Sequence, residues 1–340
     1  MAMARSTWRV GGLVGALAAA AAAQPDFTAI NRPTVAPIQL SLSYDHTYRL
    51  REDVADQPGG MAMMQHDLSL AMPLWHDERQ AVSLHAGVRA LDLNTDARLR
   101  DWDDLLDGHW QDFDAALPGE LYDVRLGATY RRKLANDWIV GGSLTLGSAS
   151  DRPFASAEEW VVNATGFARV PHGERNAWLL MLNVANNREF LPGVPIPGVA
   201  YAWSPDQKLA TLLGIPFCWA RYQPIDGLTL QGAYFIPRTV HAKISYQIVE
   251  PLELFAAFDW DSQRYLRSGR HDEDDRLFFY EKRVTGGLRW RIAKGVHLDA
   301  YAGYGFDRLF FEGEGYSDRG DRRIDIDDGP FVGLRAVVRF

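Results

Sequence analysis

The chain has 340 residues and a formal net charge of −8, from 36 Lys plus Arg against 44 Asp plus Glu. That balance leaves no basic surface to neutralise phosphates and argues against nucleic acid as a partner. A single cysteine, Cys218, rules out an internal disulfide framework, and past the first residues no segment approaches the roughly 18 apolar residues of a membrane helix.

Arg5 and Arg9 precede a run of small and apolar residues from Gly11 to Ala23, and the chain turns polar at Gln24-Pro25-Asp26. This is the pattern of a secretory signal peptide over 1–23, with cleavage expected near Ala23. Residues 24–37 are expected to form a short N-terminal extension, too brief for a plug domain.

From Ile38 onward one pattern recurs. Ile38, Leu40, Leu42 and Tyr44 alternate with Gln39, Ser41, Ser43 and Asp45. Tyr122, Val124, Leu126, Ala128 and Tyr130 alternate with Asp123, Arg125, Gly127, Thr129 and Arg131. Val284, Leu288, Trp290 and Ile292 are set against Arg283, Thr285, Arg289 and Arg291. Side chains of a strand point to alternate faces, so each segment has one apolar and one polar face. The strands are long, about 10–14 residues against the usual 5–6 or so, and their polar faces carry charges of both signs. A wet interior and a lipid-facing exterior satisfy both features. The expected fold is all-β: an up-and-down transmembrane antiparallel β-barrel of 14–16 strands over 38–340.

Turn-forming residues divide the strands. Short connections are predicted at 75–79, 135–137, 172–176, 204–207, 224–227, 250–252 and 293–295, and longer ones at 51–60, 93–119, 150–157, 189–197, 266–275 and 312–329. Gly214-Ile215-Pro216 must serve as an outside turn if the count is 16. The 93–119 connection is a candidate constriction loop through Asp96, Asp101, Trp102, Asp103, Asp104 and Asp107, and Leu99, Trp102 and Leu106 stand at helical spacing within it. A second acidic loop carries Asp321, Asp325, Asp327 and Asp328, without the spacing of an EF-hand.

The last segment, Val332 to Phe340, has Val332, Leu334, Ala336, Val338 and Phe340 on one face and Arg335 and Arg339 on the other. This ending resembles the C-terminal signal of bacterial outer-membrane β-barrels, which implies the barrel-assembly machinery as a partner reading Phe340. With the alternating strands, the Leu-Pro-Gly-Val-Pro-Ile-Pro-Gly stretch at 191–198 and Leu-Leu-Gly-Ile-Pro at 212–216, the chain resembles the uncharacterised bacterial outer-membrane β-barrel families. The proline-glycine stretches look most like those of a domain-of-unknown-function family of that class. The resemblance implies the bacterial outer membrane and its lipid, and no assigned activity.

Catalytic and metal signatures are not found in the sequence. His85, His241 and His297 fall one per strand on polar faces, and none is followed two residues later by Ser. His271-Asp272 reads as loop charge. No enzyme activity, cofactor or metal site is expected. Instead, alternation aims Arg49, Arg89, Asp123, Arg125, Arg131, Asp259, Arg283, Arg289, Arg291, Asp299, Arg335 and Arg339 into the lumen. Asp45, Asp67, Glu253, Asp261 and Asp307 are placed there too. Opposed charges of this kind line diffusion pores. The expected function is a porin-like passive channel for small solutes; a structural or surface-binding barrel uses the same residues.

Overall fold

The computed structural model describes Val35 and residues 38–100, 114–270, 272–320 and 322–340. The expected signal peptide and the extension, apart from Val35, lie outside the described residues, as do Asp101, Trp102, Asp103, Asp104, Asp107, His271 and Asp321.

The described chain is almost entirely strand. In order these are β1 (Ser41–Asp53), β2 (Gly60–His76), β3 (Gln80–Asn94), β4 (Arg98–Arg100), β5 (Asp114–Ala116), β6 (Glu120–Lys133), β7 (Ile139–Ser150), β8 (Trp160–His172), β9 (Asn176–Ala185) and β10 (Ile196–Trp203). There follow β11 (Leu209–Ile215), β12 (Phe217–Tyr222), β13 (Leu228–Phe235), β14 (Thr239–Val249), β15 (Leu252–Tyr265), β16 (Arg276–Ala293), β17 (Val296–Gly313), β18 (Arg323–Ile326) and β19 (Gly329–Arg339). Sixteen of them close an antiparallel barrel. Short β4, β5 and β18 belong to connections, β4 with β5 as a hairpin between β3 and β6. Closure is made by β19 against β1, from Arg49 opposite Phe331 to Ser41 opposite Arg339. A closed sheet leaves no strand edge unpaired in lipid.

Connections alternate in length over most of the chain, as the turn residues foretell, and the alternation lapses at the two short outside turns beside β12 and β13. Asp side chains build the tight ones: Asp77 accepts from the N–H groups of Arg79 and Gln80 at 2.7 and 2.8 Å, and Asp206 from those of Lys208 and Leu209 at 2.7 and 2.8 Å. These backbone donors hold the Asp206 carboxyl below the usual carboxylate range. Pro216 alone joins β11 to β12, so the stretch at 214–216 is an outside turn and the count is 16. An outside connection at 236–238 carries the same Ile-Pro pair and was not among the predicted turns.

The outer face is apolar. Leu126, Leu144, Leu180, Leu182, Leu213, Leu254 and Leu334 are all exposed on it. Next to the short turns stand exposed Trp75, Tyr130, Trp138, Trp178, Trp203, Tyr222, Tyr246 and Trp290, the aromatic girdle of one membrane interface.

Wall height differs around the barrel. Strands β16 and β17 have 18 residues each, whereas β12 has 6. The upper part of the tall hairpin stacks Phe278 on Phe311 at 4.5 Å and Phe279 on Phe310 at 4.7 Å between ring centroids. Inside its mouth, Met61, Met63, Leu91, Leu121, Leu277 and Phe310 converge with Leu99, Ile324 and Ile326 from the connections into one buried apolar core. Leu99 lies in strand β4, so the helix expected from its spacing does not include it; Trp102 and Leu106 lie outside the described residues. The Leu99 backbone pairs with Ala115 of β5 while its side chain fills this core.

Candidate functional site in the barrel lumen

Below the apolar cap the interior divides into two halves. Strands β14 to β17, β19 and β1 to β6 present charges, and strands β8 to β13 present mostly apolar side chains.

In the charged half, carboxylates and guanidinium groups pair across strands. Arg49 donates from Nη2 to Glu281 Oε2 at 2.8 Å, and both side chains are buried. Arg89 donates to Asp67 at 2.6 Å. Asp259 takes His241 Nδ1 at 2.7 Å and Arg283 Nε at 3.2 Å. Arg289 holds Asp299 at 2.7 Å, with Glu253 at 3.7 Å. Arg335 donates to Asp45 at 2.7 Å. Register explains most of these partners: Arg89 lies directly opposite Asp67, Arg283 opposite Asp259, Arg289 opposite Asp299, and Arg335 opposite both Asp45 and Asp299. Desolvation makes an unmatched charge here costly, so opposite charges at facing positions stabilise one another.

The remaining predicted positions are placed as follows. Asp123 is buried, with Arg125 at 3.8 Å, and Arg131 is buried with its guanidinium 6.0 Å from the Phe167 ring. Arg291, near the short-turn end, pairs with Glu250 at 2.5 Å. Arg339 lies opposite Ser41 at the closing seam. Asp96 is exposed in the connection before β4. Asp307 does not face the lumen. A bulge falls between the pairs Tyr280–Leu309 and Lys282–Phe306, and Asp307 adopts φ 54° within it. The extra residues break the alternation, and the exposed Asp307 pairs with Lys282.

Several lumen groups were not singled out from sequence. Glu281 shares a face with Arg283, so the same alternation carried the signal. Tyr301 likewise shares a face with Asp299, and its hydroxyl bonds to Thr47 Oγ1 at 2.7 Å and to Asp45, reaching across β19. It can do so because Gly333 stands directly opposite both Tyr301 and Thr47. A Cβ on Gly333 would lie 2.2 Å from the Tyr301 ring.

Between these pairs is a cavity of about 140 Å³ at mid-barrel. Its walls include Asp45, Asp67, Arg89, His241, Lys243, Asp259, Asp261, Arg283 and Arg335, with Phe255, Phe279 and Phe331 among them. The other half of the interior carries Phe167, Leu179, Met181, Ala200, Ala202, Leu212 and Phe217 as a buried cluster, flanked by Trp219 and Phe235. His85 contacts Thr145 Oγ1 at 2.9 Å. Among the described residues no group of three His, Cys, Asp or Glu is arranged to hold a metal ion.

No protein-family model matches the chain, and no curated protein does. Among solved structures, an outer membrane channel from Pseudomonas putida F1 is 13% identical, with 91% of this chain and 98% of that one covered and a TM-score of 0.35. The deltaS2S3 mutant of the TodX monoaromatic hydrocarbon channel is 10% identical over 92% and 94%, with a TM-score of 0.39. OmpT of Vibrio cholerae is 10% identical over 88% and 97%, with a TM-score of 0.33. The assignment rests on the molecule's own geometry: a closed sixteen-stranded sheet with an apolar, aromatic-girdled exterior and a charged interior is an outer-membrane β-barrel.

Proposed function

We propose that this barrel is a passive channel for small solutes, with an outer mouth that loop movement must open. The observation that carries the reading is the charged mid-barrel cavity. Sixteen strands enclose more space than side chains fill, and here the space left is lined by both signs of charge. Charges already matched across strands set a field in the lumen without requiring a counter-ion. An apolar core lies inside the outer mouth, and on this reading conduction requires the 93–119 and 312–329 segments to move. The proposal is for a barrel without enzymatic activity.

A structural or surface-binding barrel is the second reading, and the extent of the apolar cap favours it. Single-channel recording in a planar bilayer separates the two. Stepwise ohmic conductance that rises when the 93–119 connection is shortened is the expected result. A correctly folded barrel that is silent in every loop variant overturns the channel reading.

A further inference from the structure

Two histidines lie on the outer surface of the barrel, away from the lumen. His46 on β1 stands directly opposite His66 on β2. His46 alternates with Tyr44 and Tyr48, and His66 with Met64 and Leu68, and these four neighbours are all exposed on the outward face. His66 stands nine residues above the girdle residue Trp75 on the same strand. At about 3.4 Å per residue and a tilt of about 40°, the rise is roughly 23 Å, close to the full height of the apolar band. One step higher on this face, the carboxylates of Asp92 and Glu120 begin, directly opposite each other on β3 and β6. The imidazole pair therefore sits at the outer membrane interface, where hydrocarbon gives way to water and headgroups.

Three donor atoms converge there. The Nδ1 atoms of His46 and His66 are 3.3 Å apart, and the Tyr44 hydroxyl is 2.7 Å from His66 Nδ1. Tyr44 reaches it along the diagonal between neighbouring strands, since its own partner is Leu68. A ring nitrogen carries either one proton or one lone pair. His66 Nδ1 can therefore serve one of these neighbours fully, and the shorter contact with Tyr44 is the better hydrogen bond. His46 Nδ1 is then held against an atom already engaged.

A shared cation accounts for this spacing. Two nitrogens on one tetrahedral zinc, each about 2.0–2.1 Å from the metal, stand roughly 3.3 Å from each other. On the far side of its ring, His66 Nε2 faces Asp92 Oδ2 at 3.9 Å, the side from which a carboxylate orients a ligating imidazole.

We infer that His46 and His66 form a two-imidazole site for one zinc-like divalent cation at the outer membrane interface. Each Nδ1 gives its lone pair to the ion. Water fills the remaining positions, with the Tyr44 hydroxyl beside them as a hydrogen-bond partner. Imidazole suits Zn²⁺, Cu²⁺ and Ni²⁺, whereas Ca²⁺ and Mg²⁺ take oxygen ligands. The ion ties β1, the strand that closes the barrel against β19, to β2 from the lipid side. The site faces away from the lumen, so it stands or falls independently of the channel reading.

The test uses the full barrel without a histidine tag, in a neutral detergent after treatment with a chelator. Zn²⁺ is the probe and calorimetric titration the readout. One Zn²⁺ per barrel is expected, with Ca²⁺ weaker by on the order of tenfold or more. His46→Asn and His66→Asn should each weaken Zn²⁺ binding by on the order of tenfold or more, because either change leaves a single imidazole. Retained resistance to cold SDS shows that the variants are folded. Cu²⁺ serves as a spectroscopic stand-in on the wild-type barrel, and its electron paramagnetic resonance spectrum should show coupling to two imidazole nitrogens. Coupling to one nitrogen or to none overturns the site. So does Zn²⁺ affinity unchanged in either variant, or Ca²⁺ binding as tightly as Zn²⁺, which would place the ion on Asp92 and Glu120.

Discussion

Arg49 on β1 and Glu281 on β16 meet inside the barrel at 2.8 Å, although 232 residues separate them in sequence. A second bond from Arg49 Nε reaches Glu281 Oε1 at 2.9 Å, and Arg49 Nη1 reaches Gln65 at 3.4 Å. The pair therefore ties three strands of the barrel together from within.

Removing Glu281 leaves Arg49 buried without its carboxylate and also takes the partner of buried Arg308, whose Nε lies 3.9 Å from Glu281. Glu281→Gln should destabilise the folded barrel by about 3–5 kcal/mol and Arg49→Met by less, and the double variant Arg49→Met with Glu281→Leu should recover only part of the loss, because Arg308 stays buried without a carboxylate. Urea unfolding in detergent measures it. Single variants as stable as the wild type would show that the pair is solvated.

The Tyr301 bridge depends on the empty place at Gly333. Gly333→Val sets two methyl groups where the ring lies and should cost about 1–3 kcal/mol by overpacking, with the seam between β17, β19 and β1 opening first. Hydrogen exchange along Gly329–Arg339 reports it. Uniform protection in the variant would refute the packing argument.

Phe340 follows the last register pair, Ser41 with Arg339, and its N–H donates to Leu40 O at 2.9 Å. Deleting Phe340, or replacing it with Asp, is expected to reduce the amount of assembled barrel in the outer membrane, because the terminal strand must pair to close the sheet. Heat-modifiable mobility on SDS gels measures assembly, and wild-type levels of the deletion variant would remove any role for this residue as an assembly signal.

Two outer loops are clasped by Asp151. Its carboxylate accepts from Ser268 N–H and Ser268 Oγ, both at 2.7 Å. Burial pushes the carboxyl up, but the Ser268 donors and the Ser150 hydroxyl outweigh burial and hold it below its ordinary value of 3.8. A depressed acid stabilises the folded form above its unfolded value and loses that contribution as pH falls through the folded one. The protection of the Ser268 amide relative to its intrinsic exchange rate should therefore be high at neutral pH and fall as the solution is acidified below about pH 4. Asp151→Asn should abolish this acid dependence, and a variant that keeps it would place the titrating group elsewhere.

Local sequence was enough to specify the barrel, its membrane-facing side and its alternation of short and long connections. A period of two, Asp and Gly at tight turns, and an apolar last strand are all readable within a dozen residues. The same alternation turns Arg89, Asp259 and Arg283 inward, since it needs no knowledge of neighbours. Asp307 shows where that logic stops, because one bulge reverses the phase and no residue nearby announces it. Which groups meet was settled by the folded chain. The Arg49–Glu281 pair and the reach of Tyr301 over Gly333 both depend on cross-strand register and on curvature across the lumen. So do the apolar half of the interior, where β9 to β11 are apolar on both faces and offer no alternation to read, and the cap that Leu99 helps to fill. Register is set by closure of all sixteen strands at once, and no single segment contains it.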